Sequence, residues 1–165
     1  PKFYLNLKSY RKSLLSNSNP YTPAVNLVFA LDEALKMMRE EGLNNIFLRH
    51  NKHKLAITNA VKALNLELFA DEKCLSPSIT AIKTEELNAE EFRKTIKNKF
   101  DILLAGGQDH LKGKIFRVGH LGYVNSRDII SVISAISNTL LNLGKISAQQ
   151  AGDALMVATK YLEST

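Results

Sequence analysis

Cysteine is nearly absent: Cys74 is the only one in 165 residues. A single thiol excludes an intrachain disulfide, a four-cysteine zinc site and a cysteine-ligated iron–sulfur cluster built from this chain alone. A redox metalloenzyme would have to draw its ligands from another chain. Long apolar runs are also missing, since none reaches the roughly 18 residues of a membrane span. The N-terminal PKFYLNLKSYRK has no apolar centre of the kind a secretory signal carries. Neither membrane association nor export is indicated, and a cytoplasmic location is the expectation. The glycines form neither a GxGxxG fingerprint nor a P-loop, so no dinucleotide or nucleotide-phosphate cradle is encoded. No internal repeat and no low-complexity tract interrupts the chain.

What is present is ordinary globular material, 45% hydrophobic and 23% charged, enough to build a core. The formal charge of +6 arises from 22 basic and 16 acidic residues. The surplus is thinly spread, apart from Lys8 to Lys12, Arg49 to Lys54, and the group Arg93, Lys94, Lys97 and Lys99. Apart from Tyr10 these runs lack interleaved aromatics and read as solvated helix faces, so no nucleic-acid partner is expected. The chain begins at Pro1 inside what reads as an ongoing strand, KFYLNL, and a start of that kind suggests a fragment.

Alternation around Phe3, Leu5 and Leu7 predicts a short edge strand or extended segment over residues 1–10, followed by the polar connector SLLSNSNPYTP. A helix is expected next, capped by Thr22 with Pro23 in its first turn and an apolar stripe of Val25, Val28, Leu31, Leu35 and Met38. A second helix is predicted over about 44–63, with His50 and His53 on its apolar face. Short strands follow at LELFA and at 78–84. Residues 89–99 then suit a helix capped by Asn88 that buries Phe92 and Ile96. DILLA reads as a strand broken by Gly106 and Gly107, and KIFRVGH as another. Helices over about 126–143 and 147–162 close the chain, the last with a Ser147 to Gln150 capping box. The fold class expected is α/β, with a short sheet covered by helices.

The strand KIFRVGH raises the main chemical question. Side chains alternate along it, so Phe116, Val118 and His120 face the core and Ile115, Arg117 and Gly119 face the other way. A guanidinium stays charged at any relevant pH, so Arg117 needs an anionic neighbour. Gly119 leaves space beside it, and a planar fork next to a vacancy suits a small carboxylate or phosphate. A salt bridge to one of the chain's own acids answers the same need and, on strand physics alone, is the weightier reading. Thr22 is similarly double: a helix cap, or a hydroxyl at a helix N-terminus able to contact phosphate. His50 and His53 are two potential ligands without a third, which favours structural histidines over a metal site. Nothing pairs Cys74 with a base.

Taken together, PYTPAVNLVFALDEALKMMREEGL, LELFA with SPSITAIK, and DILLAGGQDHLKGKIFRVGHLGY, in that order and spacing, resemble the C-terminal part of class V pyridoxal-phosphate aminotransferases of the alanine-glyoxylate and serine-pyruvate type. The likeness runs from about residue 1 to 144. It implies fold type I, whose small domain carries a mostly antiparallel sheet. It implies residues 1–41 as the end of the large cofactor domain with the interdomain helix, and 42–165 as the small C-terminal domain. It further implies that Arg117 binds the substrate α-carboxylate and that Thr22 contacts the cofactor phosphate of the neighbouring subunit in a homodimer. The substrates implied are a small amino acid (serine or alanine) and a 2-oxo acid (glyoxylate or pyruvate), with pyridoxal 5′-phosphate as cofactor. In the family, the cofactor lysine, the aspartate facing the pyridine nitrogen and the ring-stacking aromatic lie upstream of the position of Pro1. The 165-residue piece is therefore expected to be inactive alone.

Two departures accompany the match. Asn19 stands where the family often has a phosphate-contacting tyrosine, and the final helix runs past the family's usual end. Cysteine desulfurases share the fold but carry a catalytic cysteine in the loop that here reads GGQDHLKG, which argues against them. The alternative from a different class is a free-standing, non-catalytic binding module derived from the same domain.

Overall fold

The computed structural model describes residues 3–85 and 87–163. The chain divides into two compact units, residues 1–43 and 44–165.

In the first unit, the stretch expected to be a strand is helical. A 3-10 turn at Phe3–Leu5 precedes α1, Leu7–Leu15, whose cap is the Asn6 side chain accepting from the Lys8 N–H. Residues 1 and 2 of the expected strand lie outside the described residues. Leu7, Tyr10 and Leu14 recur at helical spacing, and over so few positions that pattern competes with the alternation of Phe3, Leu5 and Leu7. Tyr21 ties the segment down by donating its hydroxyl hydrogen to the Phe3 carbonyl, with its ring 4.6 Å from that of Tyr4. Helix α2 spans Val25–Glu41, starting later than expected: Ala24 is its cap and no side chain closes it. The anticipated cap at Thr22 is therefore absent, because the Val25 N–H turns back to the Pro23 carbonyl and the helix begins beyond reach of the threonine. The stripe of Val25, Val28, Leu31, Leu35 and Met38 is exposed.

The second unit is a three-stranded antiparallel sheet covered by helices, as expected. Helix α3, Leu43–Ala63, buries Ala56, Ile57, Ala60 and Val61. LELFA supplies only a bridge, Leu68 to Ile82, at the edge of β1 (Ile79–Lys83). Helix α4, Ala89–Phe100, is capped by Asn88, which accepts from the N–H groups of Glu90 and Glu91. Acids in its first turn and Lys97 and Lys99 in its last complement the helix dipole. Asp101 then takes a left-handed conformation, φ 54°, and the chain runs unpaired to β2, which is only Ala105–Gly106 rather than DILLA. Strand β3, Ile115–Gly119, is central, in the order β1-β3-β2. Helix α5, Ser126–Asn142, starts at a capping box of Asn125 and Asp128; α6, Ala148–Glu163, starts at the predicted box of Ser147 and Gln150.

Register sorts the strand residues into two faces. Thr80 pairs with Val118 and Ile82 with Phe116, all four buried toward the helices. Phe92 and Ile96 of α4, with Ile129, Ile133, Ile136 and Leu140 of α5, complete that core. Each such side chain contributes roughly 1.5–3 kcal/mol by leaving water. Leu143, the last residue of the helix expected over about 126–143, lies one residue past α5 and is exposed.

Candidate functional site

Arg117 occupies the middle of the central strand, on the sheet face away from the helical core. Its partners across both ladders are small: Ala81 on β1 and Ala105 on β2, while Gly119 lies two residues along. The notch beside the guanidinium is therefore bounded by two alanines and a glycine, of which only the glycine was identifiable without the register. Arg117 is half-buried, and its Nε donates to the Gly106 carbonyl at 3.0 Å. Among the described residues it forms no ion pair. The internal salt bridge, the weightier reading of the strand alone, is not built among the described residues.

One nitrogen of the fork is thus fixed by backbone, and the two terminal nitrogens remain to meet an anion. That geometry suits bidentate recognition of a carboxylate. Gly107 holds the neighbouring loop: a Cβ at this position would collide with the Leu111 carbonyl and come within 3.0 Å of Ile115 Cγ1. Gly106 and Gly107 serve close approach of backbone and side chain, and neither has a positive φ. A depression of about 710 Å³ lies at the Lys83 end of β1, lined by Phe69, Leu87, Leu111 and Ile115 among others, and Arg117 takes no part in it.

The other candidates lie on other elements of the chain. Thr22 lies in the 1–43 unit, exposed, and its hydroxyl makes no hydrogen bond among the described residues. It is available for a phosphate contact. His53 is buried and His50 half-buried, with ring centroids 6.5 Å apart. No group of three or more His, Cys, Asp or Glu side chains that could hold a metal occurs among the described residues. Cys74 is exposed at the end of a 3-10 turn. No described helix is long and apolar enough to cross a membrane.

His120 is a buried group that strand alternation placed correctly but whose chemistry went unread. It is 0% exposed and shares a 2.9 Å hydrogen bond between Nε2 and Thr80 Oγ1. Loss of water pushes its pKa down to about 4, with the nearby His53 and His50 adding to the effect; the Pro77 carbonyl opposes it. No partner meets the hydrogen-bond geometry at Nδ1. The ring is neutral and structural at pH 7.

Comparison with known proteins shows what the chain is similar to. The chain is 39% identical over 144 residues to an uncharacterized aminotransferase of Methanocaldococcus jannaschii, covering 86% of this chain and 37% of that protein. The crystal structure of ureidoglycine-glyoxylate aminotransferase from Bacillus subtilis superposes with a TM-score of 0.84 at 29% identity, covering 95% of this chain and 42% of that one. The chain matches the class V, fold type I pyridoxal-phosphate aminotransferase family. The match is partial and consistent with a C-terminal portion of the family's length. A relative with another name, the soluble hydrogenase 42 kDa subunit of Anabaena cylindrica, is 54% identical over 144 residues, 87% of this chain and 38% of the relative. No protein-family model matches. The chain spans well under half the length of the curated relatives it matches.

Proposed function

We propose that this chain is the C-terminal portion of a pyridoxal-phosphate aminotransferase moving an amino group between serine or alanine and glyoxylate or pyruvate, and that Arg117 anchors the substrate α-carboxylate. The observation that carries the reading is a half-buried guanidinium, fixed at Nε by the Gly106 carbonyl, open on its notched side and paired with no described acid. Amino acid and 2-oxo acid share one carboxylate, so one fork serves both half-reactions. Pyridoxal phosphate, when bound, supplies the electron sink for breaking the Cα–H bond. Arg117 performs no proton transfer; it fixes the substrate so that this bond is correctly aimed. Glyoxylate as acceptor agrees with the name of the Bacillus subtilis protein.

The same reading assigns residues 1–41 to the end of the large domain and 42–165 to the small domain, a division supported by the compact units 1–43 and 44–165. It gives Thr22 a contact to the cofactor phosphate of a neighbouring subunit in a homodimer, supported by its free, exposed hydroxyl.

The test is made on the full-length protein: visible absorbance of bound cofactor, and amino transfer from serine or alanine to glyoxylate or pyruvate. A colourless protein that transfers no amino group sinks the proposal. A second reading follows from the name of the Anabaena relative, namely a subunit of a soluble hydrogenase. Co-purification with hydrogen-uptake activity and no transamination would favour it.

A further inference from the structure

Strand β2 is two residues long, yet it holds the site's key side chain, so something must hold β2. Isolated two-residue pairings are weak, and an edge strand this short has little ladder to fix it. The structure supplies the support from the opposite side. Arg93 on α4 donates through Nε to the Leu104 carbonyl at 2.8 Å and through Nη1 to Glu90 Oε2 at 2.7 Å. Its side chain is 24% exposed, more enclosed than a surface ion pair usually is. Gly106 shares its face with Phe116, toward α4, and a methyl there would sit 2.5 Å from Arg93 Nη1 and 2.6 Å from Glu90 Oε1. The backbone of residues 104–106 is thus gripped by the Glu90–Arg93 pair on one side, while its Gly106 carbonyl receives Arg117 on the other.

We propose that Arg93, oriented by Glu90, is a positioning residue for Arg117: it fixes the height of β2 and thereby the aim of the substrate fork. The inference rests on the carboxylate role given to Arg117 above. Arg93 touches no substrate, and its influence passes through one backbone segment, Leu104 to Gly106. A guanidinium is the suitable group, because it can bond a carbonyl through Nε and a carboxylate through a terminal nitrogen at once. Lysine can satisfy either but cannot hold both in a fixed plane. Glycine at 106 lets the strand approach the pair.

The experiment uses the full-length protein with Arg93→Gln, Glu90→Gln and Arg93→Lys beside wild type. Two readouts are taken: steady-state kinetics for amino and oxo acid, and hydrogen exchange of the Arg117 Nε–H in protein labelled with ¹⁵N-arginine, assigned by its loss in Arg117→Lys. Displacing a substrate-orienting group by a fraction of a bond length costs on the order of tenfold or more. Arg93→Gln is expected to raise KM for both carboxylate substrates by roughly tenfold, with a smaller change in kcat, and to speed exchange of the Arg117 Nε–H. Glu90→Gln acts in the same direction more weakly, and Arg93→Lys restores part of the loss. If Arg93→Gln does not fold, Glu90→Gln decides. Unchanged KM and unchanged Arg117 exchange overturn the proposal. A wild-type protein without transamination overturns the aminotransferase reading instead, and the exchange readout still tests the link between Arg93 and Arg117.

Discussion

Acid should weaken the 44–165 unit through one residue. His120 is fully buried, and its pKa falls from the ordinary 6.5 to about 4. The unfolded chain therefore takes up a proton at a higher pH than the folded one does. Stability from this group is complete above pH 6.5, declines as pH falls through the interval, and is fully lost below about 4. The interval spans about 2.5 pH units, and at about 1.36 kcal/mol per unit the loss slightly exceeds about 3 kcal/mol. A domain of this size has a total stability on the order of 5–15 kcal/mol, so the effect is large enough to measure. Urea unfolding at a series of pH values, compared between wild type and His120→Gln, isolates it from the carboxylates that titrate in the same range. Glutamine can still bond Thr80 Oγ1 but binds no proton. The wild-type curve should fall more steeply than the variant's between pH 6.5 and 4, and the two should run parallel outside that window. Parallel curves throughout would refute the burial argument and would mean that the ring reaches water or an acid when protonated.

Two further perturbations test the supports of the site. Gly107→Ala drives a methyl into the Leu111 carbonyl, a backbone collision that should cost roughly 1–3 kcal/mol, read as a lower urea midpoint at unchanged slope. Asn88→Ala removes the acceptor for the Glu90 and Glu91 N–H groups. The expected loss is about 1 kcal/mol, measured by thermal unfolding, and Asn88→Asp should recover most of it.

Helices α4 and α6 of the second unit were readable because two independent signals coincided in each, apolar or small-residue period and cap. Asn88, Phe92 and Ile96 show this in α4, and Ser147 with Gln150 in α6. Where only one signal spoke, the reading went astray. Five alternating residues suggested a strand at Phe3 to Leu7, and a threonine before a proline suggested a cap that the backbone bypasses. LELFA and DILLA have strand composition, yet LELFA makes one bridge, and DILLA pairs only at its last residue, Ala105, after Asp101 ends the helix in the left-handed region. Such outcomes depend on which partner lies alongside, which local composition does not encode. The site followed the same rule. Arg117 and Gly119 were visible because alternation within one strand is local. Ala81, Ala105, the Gly106 carbonyl and the Arg93 support required strand register and a helix from another part of the chain.

If Arg117 holds the substrate carboxylate, removing the guanidinium and removing the carboxylate must be coupled. In the full-length protein, kcat/KM would be measured for serine and for ethanolamine, which lacks the carboxylate, with wild type and Arg117→Ala. Losing a charge-assisted bidentate contact costs on the order of 2–4 kcal/mol, roughly 30- to 1,000-fold in rate. That loss is expected for serine, with a change within about twofold for ethanolamine, whose transition state never uses the fork. Equal losses for both substrates would contradict it and make Arg117 a structural residue.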